Sequence, residues 1–346
     1  MSSSLQTNSL SPAYTREDLT IYWSTEFPFE LLSEWWKKSG ELNRRDFSVY
    51  AIYDSAKMIR YLRITNKDDW LKIVRTHTPI RLDVGSCYNK PPTSQYMRDE
   101  AQKKEKERIE KELTAEQKQY MAPVVVENPV PVSRELVFDI DISDYFPVDG
   151  EWKRTCCVKG LCQKCWVFLA CAAEIMTYLL HNILGFSHII VIFSGKKGIH
   201  LWVMDRGLET MTQEQRQSIL TFMELYDVDA DIECMQIVKR YIKLLVERDI
   251  LQPPLSQDDW KNGKHLLFPR LDKKVTHDPS HLIKCPFSLH PDTGKITLAL
   301  RPSSLSYFVP EDSPTLHQVI HESAGRKQLH DSIRYFRDVY EKSISD

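Results

Sequence analysis

Apolar and polar positions alternate along this chain with two periods, and each period predicts elements. Leu31 to Lys37 repeats its apolar residues at helical spacing. Phe47 to Ile52 and Ile59 to Ile64 alternate β-branched or aromatic residues with polar ones, which predicts two strands in a hairpin or meander. Glu135 to Ile142 predicts a third strand, and Lys164 to Leu184 a long buried helix. His188 to Phe193 and Ile199 to Met204 predict two more strands joined by a glycine-containing turn. Thr210 to Asp249 carries helix formers enough for two or three helices, ended by Pro253 and Pro254. His281 to Leu300 predicts a short β element around a PDTG turn, Pro291 to Gly294, and Pro314 to Ser343 a helical C-terminal region. Residues 1–13 are Ser-rich and apolar-poor, and disorder is expected there. Met97 to Tyr120 mixes both charge signs without an apolar stripe. It reads as a solvent-exposed helix or a disordered insertion, and its near balance of charge weighs against a nucleic-acid arm.

Composition narrows the class. Of 346 residues, 42% are hydrophobic and 27% charged, the balance of a soluble globular enzyme with one large domain or two small ones. The net charge of -2 neither supports nor excludes nucleic acid, because a local basic groove can sit on a neutral protein. The opening MSSSLQTNSL lacks the basic and apolar regions of a signal peptide. Trp166 to Leu180 is too short to span a bilayer and holds Glu174, so no membrane is expected. Four of the eight cysteines fall between Cys156 and Cys165, which favours metal over disulfides and a reducing compartment, nuclear or cytosolic.

Four segments carry candidate chemistry. In VFDIDISDY, Val137 to Tyr145, alternate strand residues share a face, so Asp139 and Asp141 point one way and Phe138 and Ile140 into the core. Two adjacent carboxylates repel unless a hard cation such as Mg²⁺ intervenes; the alternative is a strand with one solvated face. SGKKGIHLWV, Ser194 to Val203, places glycines and two lysines in a turn, suited to phosphate, or else is a basic hairpin with His200 at the surface. FPRLDKKV, Phe268 to Val275, holds Asp272 between Arg270 and Lys273, and CPFSLHPDTG, Cys285 to Gly294, follows; either could be an ordinary loop. Cys156, Cys157, Cys162 and Cys165 have the spacing of a closed zinc tetrathiolate, against the alternative of packed reduced thiols.

Taken together and in this order, these segments resemble the small catalytic subunit of archaeal and eukaryotic DNA primases, over about Tyr22 to Thr297. The cysteine loop lying directly between FDID and SGKKGIH, and the Cys156-Cys157 doublet, favour the eukaryotic form. The resemblance implies an α/β (α+β) catalytic domain around a mixed sheet over residues 14–346. Within it fall a charged insertion at 97–133, a zinc-binding loop at 153–166 and a reduced helical subdomain at 206–262. It implies that Asp139, Asp141 and Asp272 hold two catalytic Mg²⁺ or Mn²⁺ ions. Ser194, Lys196, Lys197 and His200 would bind triphosphate, with Lys284 and His290 as further nucleotide contacts. LDVGSCY makes Asp83 a candidate ribose contact, RRDF makes Arg45 a nucleotide contact, and the four cysteines become ligands of a structural Zn²⁺. The implied activity is template-directed synthesis of RNA primers from ribonucleoside triphosphates on single-stranded DNA, by a nucleotidyltransferase of the nucleus. An iron–sulfur large subunit and the DNA polymerase alpha complex are the implied partners. Two other readings remain open: a primase-polymerase that extends with deoxynucleotides, and a non-catalytic assembly subunit. The chain departs from the eukaryotic pattern in having Lys196-Lys197 where Arg-Arg is usual, a short stretch between His200 and Asp272, and the insertion after Tyr88.

Overall fold

The computed structural model describes residues 14–51, 57–114, 117, 127–145, 160–250 and 267–345. The strands form two sheets. The first contains β1 (Arg45–Ala51), β2 (Lys57–Ile59), β3 (Pro79–Tyr88) and β4 (Pro131–Ser133) in the order β2-β1-β3-β4, and β8 (Ile283–Lys284) also pairs with β3. The second runs β5-β7-β6-β9, from β5 (Leu136–Asp141), β6 (Ile189–Phe193), β7 (Gly198–Val203) and β9 (Leu298–Leu300). The α+β class is as expected. The sheet is not one mixed sheet, however: it is divided in two, and every described ladder is antiparallel.

Helices cover both sheets, and most begin where the sequence supplies a cap. Thr15 opens α1 (Arg16–Ile21), Thr212 opens α6 (Gln213–Leu225) and Thr315 opens α9 (Leu316–His321), each through a reciprocal capping box. Asn66 caps α3 (Lys67–His77) and Asp231 caps α7 (Ile232–Glu247). The remaining helices are α2 (Phe29–Lys37), α4 (Gln95–Glu112), α5 (Gln163–Tyr178), α8 (Lys273–His277) and α10 (Ser323–Ser345). An aromatic cluster joins α2 and α3 to the first sheet, with Phe29 stacked on Trp70 and Trp36 edge-on to Phe47. Each such fully buried side chain contributes about 1.5–3 kcal/mol.

Two expectations change, and a third, which left two alternatives, is narrowed to one. The strand expected over Ile59 to Ile64 ends at Ile59: Arg60 turns to pair with Asp46 at 2.9 Å, and Tyr61 takes a left-handed backbone, φ 63°. The stretch expected to be too short for a membrane continues from α5 through a wider turn, Leu179–Ile183. The whole helix, Gln163–Ile183, is long and apolar enough to cross one by length and composition. It lies in the core instead: Trp166 packs edge-on against Phe193 and Phe308, and Glu174 is engaged by Arg240 and Tyr241 of α7. The charged run is a regular helix, α4, whose described side chains are largely exposed. Its own i,i+4 pairs, such as Glu100 with Lys104 at 2.8 Å, take the place of an apolar stripe. Residues 1–13, Pro253 and Pro254 lie outside the described residues, as do parts of the 97–133 and 206–262 segments.

Candidate active site

Asp139 and Asp141 lie in the C-terminal half of β5. Among the described residues β5 is an edge strand, and the carbonyls on its outer side have no ladder partner there. The segment that opens α8 supplies one: Asp272 donates its backbone N–H to Asp139 O at 2.9 Å, and Thr276 donates its hydroxyl to Val137 O at 2.8 Å. That docking sets Asp272 beside Asp139 although 133 positions separate them in sequence. Arg270 fastens the same segment, donating to Asp144 O at 2.6 Å and lying over the Tyr145 ring at 5.2 Å.

The carboxylates act on one another. The Asp139 carboxyl is pushed up to about 7, first by burial and then by the charges of Asp141 and Asp272. Asp144 is raised as well, by burial and by the same two neighbours. Its part in this cluster was missed in the sequence, where the DISD spacing alone gave little sign of it. Asp141 accepts from the backbone N–H and the hydroxyl of Ser143 at 2.8 and 2.6 Å, which fixes its orientation. A carboxylate pushed up to about 7 by burial and by neighbouring carboxylates is under-neutralised, and oxygen-ligated divalent cations relieve that condition.

Opposite the carboxylates lies a basic group built from both sheets. Lys284 on β8 pairs with Asp83 of β3 in the first sheet, and its ammonium donates to Ser194 O, at the end of β6 in the second, at 2.9 Å. Burial and Arg81 lower it to about 7. Arg81 was not singled out in the sequence. It stands two positions before Asp83, on the same strand face, and donates to that carboxylate at 2.6 Å. Lys196 is paired with Asp292, while the Lys197 side chain makes no hydrogen bond or ion pair among the described residues. The turn between β6 and β7 depends on its glycines. Gly195 sits at φ +87, with His290 Cβ 3.0 Å from where its own Cβ would be, and a Cβ on Gly198 would come within 2.9 Å of Ile140 O. Ser194 Oγ closes the turn by accepting from Gly198 N at 3.0 Å.

His200 is not the surface residue that a simple hairpin would give. β7 is central in its sheet and is buried along its whole length on both faces, so His200 is only 6% exposed. Its Nε2 lies 3.7 Å from Asp139 Oδ1, and its buried Nδ1 has no hydrogen-bond partner among the described residues. Burial, then Lys284 and Arg81, lower it to about 3; burial and Lys284 bring His290 to about 3 as well. Both imidazoles are therefore neutral at pH 7 and offer hydrogen bonds rather than charge. Arg45 is not brought to this site. It is 1% exposed, paired with Glu135 and bonded to Trp36 O at 3.3 Å, so it belongs to the core.

Of the candidate zinc ligands, Cys156 and Cys157 lie outside the described residues. Cys162 occupies the cap position of α5, and buried Cys165 sits in its first turn. Leu161 N donates to Lys196 O at 2.8 Å, so the end of the cysteine loop is attached to the lysine turn.

The sequence profile of a family described as DNA primase small subunit matches residues 138–301, a span that runs from the first carboxylate past His290. The DNA primase small subunit of Drosophila melanogaster is 26% identical over 395 aligned positions, covering 90% of this chain and 82% of that one. The DNA primase small subunit of Saccharomyces cerevisiae is 25% identical, covering 91% and 87%. Among solved structures, the polymerase domain of Mycobacterium tuberculosis ligase D in complex with DNA matches with a TM-score of 0.44 and 12% identity, over 92% of this chain and 93% of that one.

Proposed function

We propose that this chain, a member of the DNA primase small-subunit family, joins ribonucleoside triphosphates into short RNA primers on a single-stranded DNA template. The observation that carries this reading is the convergence of Asp139, Asp141 and Asp272 next to the lysine turn, because nucleotidyl transfer needs anionic ligands and cationic phosphate contacts side by side.

Asp139, Asp141 and Asp272 would hold the Mg²⁺ or Mn²⁺ ions that the family's chemistry uses. Their mutual repulsion and the proton retained on Asp139 fit that role. When bound, such ions offset charge on the triphosphate and favour the ionised form of an attacking hydroxyl. The protein's own groups do the rest. Lys197, Lys284, Lys196 and Arg81 bind the triphosphate, and bringing it close restores full charge to Lys284. Ser194 and the glycines around it let the backbone approach phosphate oxygens. Neutral His200 and His290 orient those oxygens by hydrogen bonds, and Asp83, held by Arg81, meets the ribose. The primer 3′-hydroxyl attacks the α-phosphate in line, and pyrophosphate leaves along the basic wall. Lys196-Lys197 keeps the charge of an Arg-Arg pair but lacks its planar fork.

The four cysteines hold a structural Zn²⁺ in this reading, and the chain works in the nucleus with an iron–sulfur large subunit and the DNA polymerase alpha complex. A primer-synthesis assay on a single-stranded template, run with ribonucleotides and deoxynucleotides separately, tests the assignment. Ribonucleotide-dependent primers are expected. Products from deoxynucleotides alone would favour a primase-polymerase, and no product with either would favour an assembly subunit.

A further inference from the structure

Asp18, His317 and His321 belong to none of the motifs above, yet the fold gathers them. Asp18 lies in α1 near the start of the chain; His317 and His321 lie one turn apart on α9. One ligand atom from each falls within 4.8 Å of the other two. His321 Nε2 is 2.8 Å from Asp18 Oδ1, and the two imidazole rings are 4.6 Å apart between centroids. We propose that these three side chains bind a divalent cation of the zinc class, clasping the N-terminal helix to the C-terminal helices.

The donor set selects the metal. Imidazole nitrogen suits Zn²⁺, Cu²⁺ and Ni²⁺, whereas Mg²⁺ prefers an all-oxygen shell. Residues at i and i+4 share one helix face, so both histidines reach a single point beside α9. The carboxylate is prepositioned. Asp18 is only 5% exposed, and its Oδ2 accepts from Thr15 N at 3.4 Å while Thr15 Oγ1 accepts from Asp18 N at 3.0 Å. That capping box leaves Oδ1 aimed at the histidines. The imidazoles are exposed, so an ion can enter and water can fill its remaining positions. Ligand bonds of about 2.0–2.1 Å in a tetrahedron set donor atoms roughly 3.3–3.4 Å apart, so the Asp18–His321 contact need open by only about half an ångström.

The location adds a consequence. Tyr14, next to the α1 cap, donates to Pro291 O at 3.0 Å, and Leu316, the first residue of α9, donates to Gly294 O at 2.8 Å. The ion would thus join the two supports of the turn that carries His290 and Asp292.

The test uses the full chain as purified, with Zn²⁺ as the probe at buffered free concentration. Bound metal per chain and melting temperature are measured for wild type, His317→Ala and His321→Gln. Wild type should take up about one more ion than either variant, as a single site requires. Its melting temperature should rise with Zn²⁺ but not with equal Mg²⁺. Losing a ligand should weaken binding by at least about 100-fold, the upper range for disturbing a metal's surroundings. His317 is exposed, so His317→Ala without added metal should melt with wild type, which separates loss of the ion from loss of the fold. Equal metal uptake and equal zinc-dependent melting in wild type and His317→Ala would overturn the site. So would a response lost in His321→Gln but kept in His317→Ala. No readout depends on primer synthesis, so either outcome leaves the reading of the active site untouched.

Discussion

Glu135 and Asp139 lie four residues apart, one just before β5 and the other in its middle, and their surroundings treat charge in opposite ways. Glu135 is 5% exposed, and its charge is answered. Arg45 pairs with it, Ser39 donates to it at 2.8 Å, and its carboxyl is held below the usual range despite burial. Around it, Arg216 donates to Glu135 O at 3.2 Å, and Arg134 donates to Val275 O and Asp278 O at 2.8 and 2.7 Å. Asp139 meets two further carboxylates and is pushed the other way, to about 7. The first region fastens the two sheets and the 275–278 segment together. The second stores repulsion that only a cation or a proton relieves. A satisfied buried charge signals architecture, and an unsatisfied one signals a ligand.

The sharpest break of this contrast is Asp141→Asn. It preserves shape and removes one of the repelling charges, so primer synthesis should fall by orders of magnitude. The metal-free fold should be as stable as wild type, or more so by about 1 kcal/mol. Parallel primer assays and thermal melts decide it; normal priming would remove the carboxylates from the chemistry. Glu135→Ala should do the reverse. It strands Arg45 in the core and should cost about 3–5 kcal/mol of stability, read by denaturant unfolding, with far less effect on turnover in whatever fraction folds.

The third prediction concerns pH. The folded-state value of Asp139 is raised, so the folded protein holds this proton after the unfolded chain has lost it. Without divalent metal, stability should therefore fall as pH rises from about 4 to about 7, by roughly 2–4 kcal/mol at 1.36 kcal/mol per unit, and then level off. Melts in chelator across this range, with Asp139→Asn as the flat control, measure it, and Mg²⁺ should remove most of the loss. The smallest effect belongs to Lys197→Ala, which should weaken nucleotide binding by about 1.5–3 kcal/mol, the range for a charged hydrogen bond. Unchanged affinity would return Lys197 to an ordinary turn.

Much of the site was legible because its parts are local. The alternation of FDID aimed Asp139 and Asp141 together, and the burial pattern of β5 agrees with that alternation. The Ser-Gly-Lys-Lys-Gly turn was read from its glycines, and both glycines are held against close neighbours. Arg45 was misread because a short RRDF match says nothing about burial, and the Glu135 that neutralises it lies 90 positions away. Arg81 and Asp144 were missed because part of what each one faces is distant in sequence: Arg81 acts on Lys284, and Asp144 on Asp272.

By itself the sequence determined the local choices: which stretches become strands or capped helices, and where paired carboxylates and lysines stand along them. Those follow from periodicity, cap chemistry and backbone freedom, all of which act within a few residues. Only the tertiary structure decided that β5 lies at a sheet edge, so that Asp272 could dock on it. It also decided that β8 crosses to β3 so that Lys284 spans both sheets, and that α1 meets α9. Those outcomes depend on which distant surfaces bury each other and which polar groups are left to pair, and that is settled by the whole chain at once.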